Sequence, residues 1–279
     1  ESGCEIICRA EKLIGGRIEL PFPSVGATEN AMIAACGADG VTVITGAAKE
    51  PEIVDLQEYL RKLGAYIDGA GTNTITVSGF APERHVGHRV IPDRIAASTF
   101  LCACAAAGGD IELRGVDSRQ FLRLQHFLNQ AGCDIISSKR SVRLRSDGCL
   151  HAVSRVVTEP YPGFPTDAQP ILMAALLKAH GMSRFTENIF DSRFCHAAQL
   201  MRFGADIAVD GREATVWGVR SLTGATVTAT DLRGGAAMVI AGLSAEGSTS
   251  VIDAGHIARG YENFDNKLRS LGADVFMEI

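Results

Sequence analysis

"LRKLGAYI" (60–67), "LNQAGCDI" (128–135), "LMRFGADI" (200–207) and "LRSLGADV" (268–275) are one phrase written four times. Their glycines, Gly64, Gly132, Gly204 and Gly272, stand 68, 72 and 68 residues apart. A second marker precedes each: Gly40 in "GVTVI", Gly109 in "GGDIEL", Gly181 in "GMSRFT" and Gly247 in "GSTSVI". The intervals between the two markers are 24, 23, 23 and 25 residues. Two markers that hold one phase through four copies define an internal repeat of about 70 residues.

Each copy reads in the same order. A helix of small apolar residues comes first, such as "ENAMIAACGADG" (29–40) or "AAMVIAGLSAEG" (236–247). A short strand follows the first glycine. Then comes an amphipathic helix, as in "IVDLQEYLRKLG" (53–64), with apolar residues at 53, 56, 60 and 63 and glycine as its C-cap. Two more strands follow, "AYIDG" (65–69) and "TITVSG" (74–79) in the first copy. The leading helix is apolar all round and needs cover on every side. The fold expected is therefore α/β, with repeated units that turn their helices inward and their sheets outward.

The segments that open the repeats carry the chemistry. They are "PSVGATEN" (23–30), "IPDRIAAS" (91–98), "FPTDAQP" (164–170) and "ATDLRGG" (229–235). Free amides at a helix N-terminus favour anions. Arg94, Arg193, Arg233 and Arg259 lie near these junctions, and together they predict a ligand with several negative charges. An arginine on a surface helix is more often just a solvated charge. Asp167 closes the proline-framed arm "TEPYPGFPTDAQP" (158–170), where fixed φ angles and missing amides exclude regular structure. It reads equally well as a helix cap and as a functional carboxylate.

Composition narrows the class. With 46% hydrophobic and 21% charged residues and a net charge of −5, the 279-residue chain is an ordinary globular one. No basic run points to nucleic acid or to an anionic membrane. No apolar stretch reaches a bilayer span, and the first residues lack the pattern of a signal peptide. The eight cysteines include no CxxC pair, and no metal site is expected. Cys36, Cys102 and Cys104 lie in Ala-rich helical runs and read as small buried hydrophobes, and the usage suits a reducing compartment.

Taken together, "PSVGATEN", "EPEIVDL" (50–56), "GAGT" (69–72), "IPDRI", "PYPGFPTDAQ" (160–169), "ENIFDSRF" (187–194), "ATDLR" and "HIARGYE" (256–262) resemble the UDP-N-acetylglucosamine 1-carboxyvinyltransferase (MurA) family of enolpyruvyl transferases. The resemblance runs through nearly the whole chain. It implies an inverse α/β barrel built of βαβαββ repeats. It also implies a cytoplasmic enzyme that moves the enolpyruvyl group of phosphoenolpyruvate to the 3-hydroxyl of UDP-N-acetylglucosamine and releases phosphate, the first committed step of peptidoglycan synthesis. No cofactor is implied.

Roles carry over by motif. Asp167 matches the aspartate that binds the sugar hydroxyl and acts as general base, with the stiff arm aiming it across the cleft. Ser24, Val25 and Gly26 match a pyrophosphate contact, and Ile189 a backbone contact to the nucleotide. Arg193, Arg233 and Arg259 match arginines that hold phosphoenolpyruvate or close over it. Asp231 matches an aspartate near the reacting carbon. Glu50 and Glu52 match cleft-side glutamates, and Asp93 and Arg94 are further cleft candidates. Forked guanidinium bonds suit a phosphate and a carboxylate.

Two departures stand out. Phe22 replaces a lysine common in the family. The family has six repeats and this sequence four, so residues 1–91 are expected to be one repeat of a first domain and 92–279 the whole second domain. The front repeats carry the family's general-acid cysteine. No cysteine here has that context, and Cys4 in "SGCEII" reads as strand, so the chain as given is expected to be an inactive fragment of such an enzyme. An orphan repeat should expose an apolar helix face. Two other readings stay open: the sister enzyme 3-phosphoshikimate 1-carboxyvinyltransferase, and a non-catalytic binding or regulatory short form.

Overall fold

The computed structural model describes residues 7, 9–80 and 85–278. The expected strand at Cys4 lies outside them. The chain divides into two compact units, Glu1–Ile91 with Pro160–Pro162, and Pro92–Glu159 with Gly163–Ile279.

The first unit is one repeat. Strand β1 (Arg17–Glu19) leads through helix α1 (Val25–Cys36) to a parallel partner, β2 (Val41–Thr45). Helix α2 (Pro51–Leu63) leads on to β3 (Tyr66–Asp68) and β4 (Thr74–Ser78), and the sheet order is β1-β2-β4-β3. The apolar stripe of α2 packs as its period requires, with Ile53 and Leu60 buried.

The second unit repeats this plan three times. Helix α3 (Arg94–Ala107) precedes β5 (Gly109–Arg114), α4 (Leu122–Gln130), β6 (Asp134–Ser137) and β7 (Ser141–Ser146), in sheet order β5-β7-β6. Next come β8 (Val156–Val157), α5 (Gln169–Ala175), β9 (Met182–Thr186), α6 (Ala197–Leu200), β10 (Asp206–Asp210) and β11 (Glu213–Trp217). Their sheet runs β8-β9-β11-β10, the order of the first unit. Last come β12 (Thr226–Thr228), α7 (Leu232–Leu243), β13 (Ser250–Ile252) and α8 (Phe264–Ser270). Here only the parallel pair β12–β13 forms, and residues 273–278 lie outside any ladder.

Helices α3, α5 and α7 pack on one another at the centre of the second unit. All seven residues of α5 and eleven of the fourteen in α3 are buried, as helices apolar all round must be. The sheets lie outside, and β7 alternates buried Val142 and Leu144 with exposed Arg143 and Arg145. In the single-repeat unit α1 buries only Thr28, Met32, Ala35 and Cys36, and Ile33 stays 55% exposed.

The four repeat glycines explain themselves. Gly64, Gly132, Gly204 and Gly272 have φ of 113°, 102°, 87° and 98°, a left-handed region costly for any residue with a Cβ. The other marker set, Gly40, Gly109, Gly181 and Gly247, is also at positive φ. Cys36, Cys102 and Cys104 are buried as expected. Burial pushes the thiols of all three up, that of Cys104 to about 11, so they are poor nucleophiles.

One local expectation fails. The amphipathic helix of the third repeat is broken into a 3₁₀ turn (Arg193–His196), the single turn α6 and a second 3₁₀ turn (Met201–Phe203). The His196 ring competes there, because its Nδ1–H donates to the Arg193 carbonyl at 3.0 Å. Residues 85–93 run irregularly into α3, and no leading strand of the second repeat lies among the described residues.

Candidate active site

In the second unit the arm ends in a 3₁₀ turn, Thr166–Ala168, and Asp167 does not cap the helix that follows. Its carboxylate goes to two arginines instead. Oδ1 accepts from Arg193 Nη2 at 2.9 Å and Oδ2 from Arg233 Nε at 3.2 Å. The Asp167 side chain is 41% exposed, while those of Arg193 and Arg233 are only 15% and 10% exposed. Arg193 also donates to the Thr166 carbonyl and stacks over Phe190, 5.7 Å from its centroid. Arg233 lies 5.3 Å from the Tyr261 centroid, and the Tyr261 hydroxyl bonds buried Thr99 at 2.8 Å. Two buried donors, Arg193 Nε and Arg233 Nη1, have no hydrogen-bond partner among the described residues.

Asp231 is the N-cap of α7, its Oδ1 accepting from the amides of Arg233 and Gly234 at 2.9 and 3.0 Å. Its Oδ2 receives Thr230 Oγ1 at 3.3 Å and exposed Cys195 Sγ at 3.8 Å. Burial pushes the Asp231 pKa up, but those amides and the Arg193 charge outweigh it and hold it below the usual carboxylate range. Asp93 likewise caps α3 through the amides of Ile95 and Ala96. This corrects the expectation of free amides at these helix ends, because each cap's own carboxylate already accepts them. Arg94 is buried rather than solvated. Arg259 is exposed at the end of the turn Ile257–Arg259 and makes none of the Asp167 contacts.

In the first unit Ser24 caps α1, accepting from the Ala27 amide at 3.3 Å, and Val25 and Gly26 form the first turn. A Cβ at Gly26 would meet nothing within 4 Å, so this turn presents open backbone. Phe22 is 40% exposed. Glu50 and Glu52 begin α2. Glu50 is buried, accepts from the Tyr161 amide at 3.4 Å and leaves Oε2 without a partner among the described residues. Glu29 joins them, its pKa raised by burial and by the charges of Glu52 and Glu50. Among the described residues no His, Cys, Asp and Glu group could hold a metal ion, and no helix is long and apolar enough to cross a membrane.

Sequence reasoning missed Glu187, His196, Thr99 and Tyr261. Glu187 and Tyr261 lay inside quoted motifs, and a carboxylate closing a buried strand was the available signal. His196 is fully buried, and burial lowers its pKa to about 4, against 6.5 ordinarily. Arg193 and Asp231 are the charges that act on it. As pH falls, the unfolded chain takes up this proton before the folded one does. Stability is thus complete above 6.5 and is lost progressively toward 4. Denaturant titrations should show the wild type losing about 2 kcal/mol more than His196→Asn between pH 7 and pH 5. Equal losses would place the pH dependence elsewhere.

The sequence pattern of the family described as EPSP synthase (3-phosphoshikimate 1-carboxyvinyltransferase) matches residues 1–268, and the chain belongs to that enolpyruvyl transferase family. Within it, the chain is similar to proteins named UDP-N-acetylglucosamine 1-carboxyvinyltransferase. One from Caldanaerobacter subterraneus subsp. tengcongensis is 48% identical over 275 residues, 99% of this chain and 66% of that protein. One from Geotalea uraniireducens is 48% identical over 267 residues, 96% of this chain and 64% of that protein. The chain therefore spans about two-thirds of the length of these relatives. Among solved structures, the enolpyruvyl transferase NikO from Streptomyces tendae superposes with a TM-score of 0.85 at 27% identity, covering 95% of this chain and 66% of its own. An EPSP synthase from Acinetobacter baumannii shares the fold, with a TM-score of 0.71 at 21% identity, covering 96% of this chain and 64% of its own.

Proposed function

We propose that this chain supplies donor-binding and proton-transfer residues of a UDP-N-acetylglucosamine 1-carboxyvinyltransferase, a cytoplasmic enzyme of peptidoglycan synthesis. The observation that carries the reading is the pair of buried guanidinium groups converging on Asp167 with donors to spare. One carboxylate does not satisfy two forks, and an unpaired buried donor costs free energy until an anion fills it. The phosphate and carboxylate of phosphoenolpyruvate fit that need. Asp167 stays partly exposed beside them, where it can take the proton of the acceptor hydroxyl. As that oxygen bonds C2 of the enol, C3 takes a proton from a general acid, which the family carries on its front repeats; loss of a C3 proton then restores the double bond as the C2–O bond breaks and phosphate departs. In the first unit Ser24, Val25 and Gly26 are read as a pyrophosphate contact; in the second, Ile189 is read as a contact to the nucleotide and Arg259 as one to the donor. Residues 1–91 form one repeat of a first domain, and 92–279 form the second.

The sister reading takes shikimate 3-phosphate as acceptor and is favoured only by the name of the matching family. Phosphate release by the full-length protein, given phosphoenolpyruvate and either acceptor, separates the two. Turnover with UDP-N-acetylglucosamine alone is the expected result. Turnover with shikimate 3-phosphate alone would replace it, and release with neither would leave a binding protein.

A further inference from the structure

Glu187 is fully buried at the end of β9 and makes no salt bridge among the described residues. Three neutral donors hold its carboxyl group instead. Oε1 accepts from the amides of Ile189 and Phe190 at 2.7 and 3.1 Å, and Oε2 from Thr166 Oγ1 at 3.0 Å. Its backbone is fixed as well, with its amide donating to the Arg212 carbonyl at 2.8 Å and its carbonyl accepting from Arg212 Nη1 at 3.3 Å. These bonds close a ring. Thr166 is bonded in the chain to Asp167, Asp167 pairs with Arg193, Arg193 stacks on Phe190, and Phe190 returns to Glu187.

A carboxyl group in such a place is expensive to bury, and an apolar residue would serve packing alone better. We infer that Glu187 is a positioning residue: it fixes the arm that carries Asp167 against the turn that carries Ile189 and leads to Arg193. The two oxygens divide the work. Oε2 sets the arm through Thr166, and Oε1 sets the turn. This rests on the proposed function for the identity of the substrates, but not for the geometry.

The division predicts a pattern that general destabilisation would not give. Thr166→Val keeps the shape and cuts only the arm, so kcat should fall about tenfold with KM for UDP-N-acetylglucosamine unchanged. Glu187→Ala cuts both links. Its kcat should fall about a hundredfold, the scale of an ångström of misplacement, and that KM should rise as well. Glu187→Gln can still accept both amides and can meet the Thr166 hydroxyl, so it should stay within about threefold of the wild type. Titration with inorganic phosphate gives a second readout, because a displaced Arg193 should weaken phosphate binding in the Glu187→Ala protein but not in Thr166→Val or Glu187→Gln.

A Thr166→Val protein with unchanged kcat would overturn the inference, even if Glu187→Ala failed to fold, and so would a Thr166→Val protein whose phosphate affinity fell as kcat did. Equal KM losses in Thr166→Val and Glu187→Ala would overturn it too. A wild type that binds phosphate but turns over neither acceptor would remove the proposed function only, and the phosphate titrations would still decide the role of Glu187.

Discussion

Asp167→Ala should lower turnover of the full-length protein by about two to four orders of magnitude, the range for losing a general base. Three features of the site point the same way. The carboxylate caps no helix, so its oxygens are not committed to backbone amides. It is 41% exposed, which leaves it open to a substrate hydroxyl. Its two arginine bonds, at 2.9 and 3.2 Å, hold it in one orientation while it waits. Asp167→Asn separates the proton from the geometry, because the amide oxygen can still accept from one arginine but cannot take a proton. If Asp167 is the base, the two variants should fall by similar factors while Asn melts closer to the wild type. A loss under tenfold in both would reduce Asp167 to an ion partner of Arg193 and Arg233.

Much of this architecture is legible in the sequence, and for identifiable reasons. Gly64, Gly132, Gly204 and Gly272 recur because each ends a helix at left-handed φ, where other residues are strained. The period of α2 and the unbroken apolar runs of α3 and α7 follow directly from which faces must leave water. What stayed hidden depends on competition for one group. A sequence cannot say whether the carboxylates of Asp93 and Asp231 turn back to their own helix amides or forward to a ligand, and here they turn back. Asp167 looked like the same kind of residue and turned the other way. Proline at 165 and the 3₁₀ turn after it leave its side chain no amide to cap. The third repeat's helix broke because an imidazole took a backbone carbonyl, a contact without periodicity. Glu187 escaped notice for a related reason, since its partners are two amides and a hydroxyl, groups that leave no charge pattern in the sequence.

Arg193→Ala combined with Arg233→Ala should lower kcat/KM for phosphoenolpyruvate by roughly two to four orders of magnitude, since each bond to a charged group contributes about 1.5–3 kcal/mol. Both side chains are largely buried, at 15% and 10% exposure, so water screens them little and replaces them poorly. Each also carries a donor without an acceptor among the described residues, and the anion is what those donors lose in the variant. The single variants should not sum to the double, because both guanidinium groups share Asp167 and removing one frees the carboxylate to move onto the other. Lysine should rescue poorly at either position. An ammonium restores the charge but not the fork, and it cannot lie flat on Phe190 or Tyr261. UDP-N-acetylglucosamine affinity should change less, because of the contacts assigned to it only Asp167 touches the two arginines, and Ser24 to Gly26 and the Ile189 backbone touch neither. Steady-state kinetics with each substrate varied, beside a thermal melt, make the test. Losses that fall equally on both substrates and track the melting temperature would mean that the two arginines hold the second unit together and do not bind the donor.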